Sequence, residues 1–384
     1  MESIEQMINR LCPKGVKYEK LRDICEIRRG VRVVKKQLSD RDGYPVYQNS
    51  LTSLGMYQSS NRKSGTTFVI CAGAAGEIGY CNTEFWAADD CSTVESDVLI
   101  DRFIYFYLMT KQSKLKSQVR KASVPRLSRD AIENLSIPVP PLEIQNRIVE
   151  VLDKMTTLTA ELEAELEAEL EARKQQYEYY RNKLLTFNEV GGGIRQEKKD
   201  LCPNGVKLVK LGDCLEYEQP TNYQVSSKDY LDNGTPVLTA GQTFILGCTD
   251  ETNGIYHASK EQPVIIFDDF TTSFHWVDFD FKVKSSAMKM LTPCNEEANF
   301  RFIYYAMKCI KYETLEHSRQ WISTYSQFEI PLPPLEEQAR IVSILDRFEA
   351  LTTDLQSGLP AEIEARRQQY EYYRNKLLTF EQSA

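Results

Sequence analysis

No cysteine pair in this sequence has CxxC spacing and no apolar leader opens it, although ten cysteines are scattered along its 384 residues. In a chain of this size, that pattern predicts reduced thiols and a cytoplasmic location, not a disulfide scaffold. No apolar run approaches the ~18 to 20 residues that a membrane-spanning helix requires. Histidine is scarce: His257, His275 and His317 lie far from any cysteine pair, and Cys71, Cys81 and Cys91 are spaced by ten with no fourth ligand. No metal is therefore expected.

The marks of catalysis are missing as well. GAAGEIG at 73–79 does not match GxGxxG, lacks the acidic residue a dinucleotide fold would need, and reads as hairpin turns. The (N/D)PP(Y/F) tetrapeptide with which amino-methyltransferases grip a flipped base does not occur. Asp278, Asp280 and Lys282 in VDFDFKVK loosely resemble a nuclease cluster, but alternating charges of this kind read better as the solvent face of a strand. A dominant sign of charge is also lacking. The net of −8 hides 21 Lys/Arg against 16 Asp/Glu in residues 1–140 and 11 against 17 in residues 201–333. The expectation is a chain without catalytic residues of its own, more electropositive in its first half.

What the chain does have is repetition. Residues 171–187, EARKQQYEYYRNKLLTF, and 364–380, EARRQQYEYYRNKLLTF, agree at 16 of 17 positions. Each copy ends a long helical pattern that begins PLEIQNRIVEVLDKM at Pro141 or PLEEQARIVSILDRF at Pro334. LCPKGVKYEKLRDICE at 11–26 returns as LCPNGVKLVKLGDCLE at 201–216. Between opening segment and arm lie two central regions rich in Tyr, Phe, Val and Thr, with Gly, Asn and Asp turns, a pattern of short strands. FIYFYLMT at 103–110 and FIYYAMKC at 302–309 are continuous apolar runs that predict helices packed on sheets. SIPVPPL at 136–142 and EIPLPPL at 329–335 predict a strand, a proline corner and a helix start. MESIEQMINRL predicts a short amphipathic helix with Ile4, Met7, Ile8 and Leu11 on one face.

The fold class predicted is α+β: two mixed domains of pseudo-twofold internal repeat, separated by two long antiparallel coiled-coil helices. The boundaries are 1–140 and 201–333 for the domains, 141–187 and 334–380 for the helices, and 188–200 for a flexible link. The first arm carries a seam at Ile148, Val151, Met155, Leu158 and Leu162. It then shifts to a period of four at Leu162, Leu166 and Leu170 within ELEAELEAELEA. The second arm has Leu351, Leu355, Leu359 and Ile363 in equivalent places, with Gly358 and Pro360 set to interrupt it. Each tetrad adds about 6 Å of helix. The repeated ends offer Tyr177, Tyr180, Tyr370 and Tyr373 for packing or for partners.

What remains is recognition. In the first region, Arg28, Arg29, Arg32, Lys35 and Lys36 are followed by Gln48, Asn49, Arg62 and Lys63, then by Arg120, Lys121, Arg126 and Arg129. Arginine pairs with guanine edges and phosphates, and Asn and Gln pair with adenine edges, so this set suits duplex DNA. The second region offers Gln219, Asn222, Tyr223 and Gln224, then Thr271, Thr272, Ser273, His275 and Trp276, then Arg319, Gln320 and Trp321, the last expected to be partly exposed.

Two divergent central regions, each followed by PxPPLExQxRIVxxLD and a long helix, resemble the DNA-specificity subunit of type I restriction-modification systems over nearly the whole chain. The tetrads and the ARKQQYEYYR ending resemble the type IC branch. The resemblance implies two target-recognition domains reading a bipartite, asymmetric double-stranded DNA target, with the helices setting the spacer. It implies two modification subunits that carry S-adenosylmethionine and methylate adenine, and two restriction subunits that use ATP and Mg, with no cofactor on this chain. A coiled-coil adaptor without DNA reading would explain the arms but not two variable heads on one scaffold.

Overall fold

The computed structural model describes residues 2–121, 123–187, 206–227, 229–241, 243–314, 318–353 and 358–383. The protein is α+β, and its chain forms two compact units, Met1–Glu167 with Glu362–Ala384, and Ala168–Ala361.

In the first unit, the run TTFVI forms strand Thr66–Ile70, an inner strand of its sheet that is buried at every position. Val69 faces the main core and helix Asp101–Ser117, which carries Phe103, Ile104 and Leu108, while Phe68 and Ile70 face a second small core. The four-stranded sheet runs Glu26–Arg29, Cys91–Glu95, Thr66–Ile70, Ile78–Cys81, all antiparallel. A three-stranded sheet runs Met56–Tyr57, Tyr44–Tyr47, Trp86–Ala87, its last pair parallel. GAAGEIG forms the turn between Thr66–Ile70 and Ile78–Cys81, as its glycines predict. The opening helix Ile4–Leu11 is held by a capping box from Ser3 and Gln6 and turns Met7 inward. A short ribbon pairs Tyr18–Lys20 with Ser136–Pro138. The chain's last residues complete this unit. Val16 N donates to Glu381 O (2.8 Å), Ser383 N donates to Val16 O (3.0 Å), and Leu378 and Phe380 enter the core.

The second unit repeats this topology with different residues. Its four-stranded sheet runs Leu215–Glu218, Met288–Pro293, Val264–Asp268, Phe274–Val277. The three-stranded sheet runs Ile245–Thr249, Thr235–Leu238, Lys282–Val283, again with a parallel last pair. Ile265 and Phe267 face the core around helix Phe300–Met307, while Val264 and Ile266 face a second core. Lys207–Lys210 pairs with Glu329–Leu332 before the proline corner.

The repeat extends to single atoms. Gln145, at the start of helix Leu142–Leu185, accepts from Ile100 N (2.9 Å) and donates to Val98 O (3.3 Å) and Pro140 O (2.8 Å). Gln338, near the start of helix Leu335–Thr353, accepts from Asn299 N (2.7 Å) and donates to Glu297 O (2.9 Å) and Pro333 O (2.7 Å). Each glutamine thereby ties its helix start to the loop that begins the domain's helix.

The arms differ from the predicted seam in detail. Ile144, Ile148 and Leu152 are fully buried at a spacing of four, because this stretch packs on a globular core and not on a single helix. Beyond it, the contact face follows Met155, Thr159, Leu162 and Leu166, so Leu158 falls outside it and is 64% exposed. Val151 and Leu170 are half-buried. Within the first unit, this helix meets helix Leu359–Leu377 antiparallel: the Thr156 and Tyr370 hydroxyls are 2.8 Å apart, and Arg367 pairs with Glu163 and Glu167 at 3.3 Å. Tyr373 stays exposed. Within the second unit, Tyr177 is buried and Tyr180 stacks on Phe348 (5.6 Å). Leu359 and Ile363 are buried, but Leu351 is exposed, to one side of the buried face that runs through Ile341, Leu345 and Thr352. Gly358 lies in a bend and Pro360 sits at the start of the new helix, where its missing N–H is not needed. Leu355 and the link 188–200 lie outside the described residues.

Candidate nucleic-acid interface

In the first unit, backbone hydrogen bonds gather five loops at one end of the sheets. Val31 N donates to Ala87 O (2.8 Å), Ala88 N to Tyr47 O (2.9 Å), Ala74 N to Asn49 O (2.9 Å), Cys71 N to Asp90 O (2.7 Å) and Gly73 N to Pro125 O (3.1 Å). Gly30 allows the crossing: a Cβ there would lie 2.0 Å from Ala88 O. Trp86 Nε1 donates to Val31 O (2.8 Å), fixing the loop that presents Arg32 and leads to the turn Lys35–Gln37. Arg32, Lys35, Lys36, Asn49, Arg120 and Lys121 are exposed.

Not every predicted cation is available. Arg62 is committed inward: Nε donates to Thr93 Oγ1 (2.8 Å), Nη1 to Asn61 O (2.7 Å) and Nη2 to Arg29 O (3.1 Å). It fastens the sheet and is not free for DNA. Lys63 lies 3.6 Å from Asp101 and 3.9 Å from Glu95. Arg28 pairs with Glu26 and holds that carboxyl below its ordinary value through their hydrogen bond. Arg29 donates to Asp89 O (2.8 Å), Gln48 reaches Asp89 (3.5 Å), Arg126 lies 3.9 Å from Asp90, and Arg129 pairs with Glu133. Asp89 and Asp90, which carried no signal in the sequence, therefore organise the floor of this cluster.

The corresponding loops of the second unit carry other side chains. Gln219 and Asn222 are exposed beside the turn Pro220–Tyr223, Gln224 bridges to Val283, and Tyr223 donates to Glu218 (2.9 Å). Asp268 accepts from the N–H groups of Phe270 (2.9 Å) and Thr271 (2.8 Å). Thr271 is exposed and Ser273 half-buried, with their hydroxyls 2.6 Å apart. Between them, Thr272 is buried and held at φ 59°, a left-handed conformation that is costly for a β-branched residue. His275 stacks on Phe244 (4.5 Å), and its Nε2 lies 2.9 Å from Gly241 O. Arg319 is exposed.

Three predictions in this unit are corrected. Trp321 is 2% exposed, packed against Phe267 (5.2 Å) and Tyr325 (6.2 Å), because the RQWIS segment folds back over the sheet. It is a core residue. Gln320 is 4% exposed and spent on Tyr312 and Ser318. Lys282 does not face solvent: it is 3% exposed, pairs with Glu251 (2.9 Å) and donates to Asn253 O (2.5 Å). Trp276 is half-buried under Arg301, whose guanidinium lies 4.6 Å from its ring, and His317 lies outside the described residues.

Sequence reasoning missed one buried pair. Asp269, 2% exposed, lies 3.6 Å from Lys289, 1% exposed, and Lys289 also sits over the Tyr217 ring at 4.4 Å. Burial pushes the Lys289 ammonium pKa down; Asp269 opposes that shift and Arg319 adds to it. The only signal was two aspartates closing the apolar run VIIFDD. Among the described residues, no group of three or more His, Cys, Asp and Glu could hold a metal, and no helix is long and apolar enough to cross a membrane.

Two units of one topology that expose different side chains from equivalent loops define a duplicated recognition module. The family described as the type I restriction modification DNA specificity domain matches residues 13–172 and 203–365, and the chain belongs to it. The specificity subunit of the type I restriction enzyme EcoR124I/EcoR124II of Escherichia coli is 53% identical over 188 residues, 46% of this chain and 45% of that protein. A putative type I restriction enzyme specificity subunit of Haemophilus influenzae is 31% identical over 323 residues, 77% of each chain. A chain from a structure of the type I R-M system, described for its complex assembly and conformational transition, shares the fold, with a TM-score of 0.61 at 15% identity over 95% of this chain and 98% of that one. DNA sequence recognition is accordingly the role of this chain.

Proposed function

We propose that the chain reads a bipartite, asymmetric duplex, one half-site per unit, and that the arms set the spacer between half-sites. The observation that carries this reading is the equivalence of the two scaffolds combined with the divergence of their loops. The first cluster is basic, with Arg32, Lys35, Lys36, Arg120 and Lys121. The second is built from amides, hydroxyls and a single exposed arginine. Cations supply phosphate contacts that position a protein, and amide and guanidinium groups supply base contacts that specify.

The chain would act without catalytic groups of its own, in the cytoplasm, bound to two modification subunits that use S-adenosylmethionine and two restriction subunits that use ATP and Mg. The acidic balance of residues 201–333 supports weak DNA binding by the chain alone and tight binding once a partner adds phosphate contacts. The test is purification with the modification subunit, followed by sequencing of methylated DNA and a mobility-shift titration with and without that subunit. A split adenine-methylated motif, with affinity rising at least tenfold in the complex, is expected. Full specific affinity without the partner contradicts the division of labour, and co-purification without any sequence preference supports a scaffold instead.

A further inference from the structure

Residues 201–333 contain two arginines. Arg301 is committed: it pairs with Asp346 (2.9 Å) and Glu349 and lies over Trp276, Tyr304 and Tyr305. Arg319 is exposed, and its side chain has no hydrogen bond or ion pair among the described residues. Yet the backbone that carries it is tightly held. Gln320 N donates to Asp269 O (2.8 Å), Trp321 N donates to Asp269 Oδ1 (2.8 Å), and Asp269 N donates to Ala287 O (2.9 Å). The second carboxylate oxygen of Asp269 faces Lys289 Nζ at 3.6 Å. Trp321, wedged against Phe267 and Tyr325, anchors the same segment from below.

A buried ion pair adds little stability over apolar residues of similar volume. The presence of one beneath this loop therefore calls for a role other than stability. What it fixes is the backbone that carries one free guanidinium, tied through Asp269 to the turn whose Thr272 is strained and whose Thr271 is exposed. Strain of this kind persists where the surroundings hold it for function. A phosphate contact tolerates a mobile attachment point, whereas a base contact is served by a side chain that leaves from a fixed backbone, as Arg319 does beside the anchored Gln320 and Trp321. The O6 and N7 acceptors of guanine match the guanidinium fork.

We propose that Arg319 reads a guanine in the half-site of the second unit, and that Asp269 and Lys289 are positioning residues that aim it. This rests on the DNA-recognition reading above. The test sequences methylated DNA from the full chain co-expressed with its modification subunit. Wild type should show a guanine in one half-site, and Arg319→Gln should cut discrimination at that single position by about ten- to a hundredfold while every other position in both half-sites is kept. Asp269→Ala should relax the same position. Asp269→Asn combined with Lys289→Met removes both charges, keeps the acceptor for Trp321 N, and should restore discrimination.

An even loss of methylation over all positions in Arg319→Gln would mark a phosphate contact and overturn the assignment, as would an unchanged motif. Failure of the double variant to recover the position would overturn the positioning role. If wild type itself yields no defined motif, it is the DNA-recognition reading that fails and not this assignment.

Discussion

Gln145 and Gln338 show how much of this protein depends on single side chains with nowhere else to go. Each is at most 1% exposed and makes three hydrogen bonds to backbone groups at the proline corner and at the start of the domain helix. Removing such a side chain leaves buried polar groups unpaired, which costs roughly 2 to 3 kcal/mol. Gln145→Ala should therefore speed hydrogen exchange of the Ile100 amide and its neighbours and leave Asn299 protected, and Gln338→Ala should do the reverse. Unchanged exchange in both would show that the corners hold without them. The glutamines stood out in the sequence as a repeated letter, but their function did not, because two of the three backbone partners of each lie 39 to 47 residues away. The same applies to the cations. Counting charges found the basic loops but could not separate Arg62, bound to Thr93 and Arg29 O, from Arg32, which is exposed.

Periodicity served well for the elements and less well for their contact faces. The apolar runs at 103–110 and 302–309 became helices on sheets, the proline corners stopped strands, and GAAGEIG became a turn. The heptad reading misplaced Leu158 and Leu351, because the partner surface changes from a globular core to a helix along each arm. Trp321 was misjudged for a related reason: its neighbours in sequence are polar, while its neighbours in space, Phe267 and Tyr325, come from elsewhere in the chain or are hidden by a turn. The tetrads lie within one continuous helix, Leu142–Leu185. Deleting one ELEA removes about 6 Å, slightly under two steps of B-DNA. The expected outcome is a methylated motif whose spacer shortens while both half-sites keep their bases. Altered half-sites with an unchanged spacer would sink the ruler.

At the scale of the molecule, the internal repeat was plain in the sequence, but the composition of the units was not. The residues after Ala361 complete the first unit through Leu378, Phe380 and the pairing of Val16 with Glu381–Ser383. No local pattern announces a contact between positions 16 and 382, since it depends on the whole chain returning to its start. The central claim is that one scaffold, used twice, carries two independent reading surfaces. It is tested most directly by replacing residues 211–328, which lie between the ribbon strands and within the second unit, with the corresponding region of another specificity subunit, and sequencing the methylated DNA. The account predicts that one half-site takes the donor's bases while the other half-site and the spacer stay as in wild type. Change in both half-sites, or in neither, would contradict it.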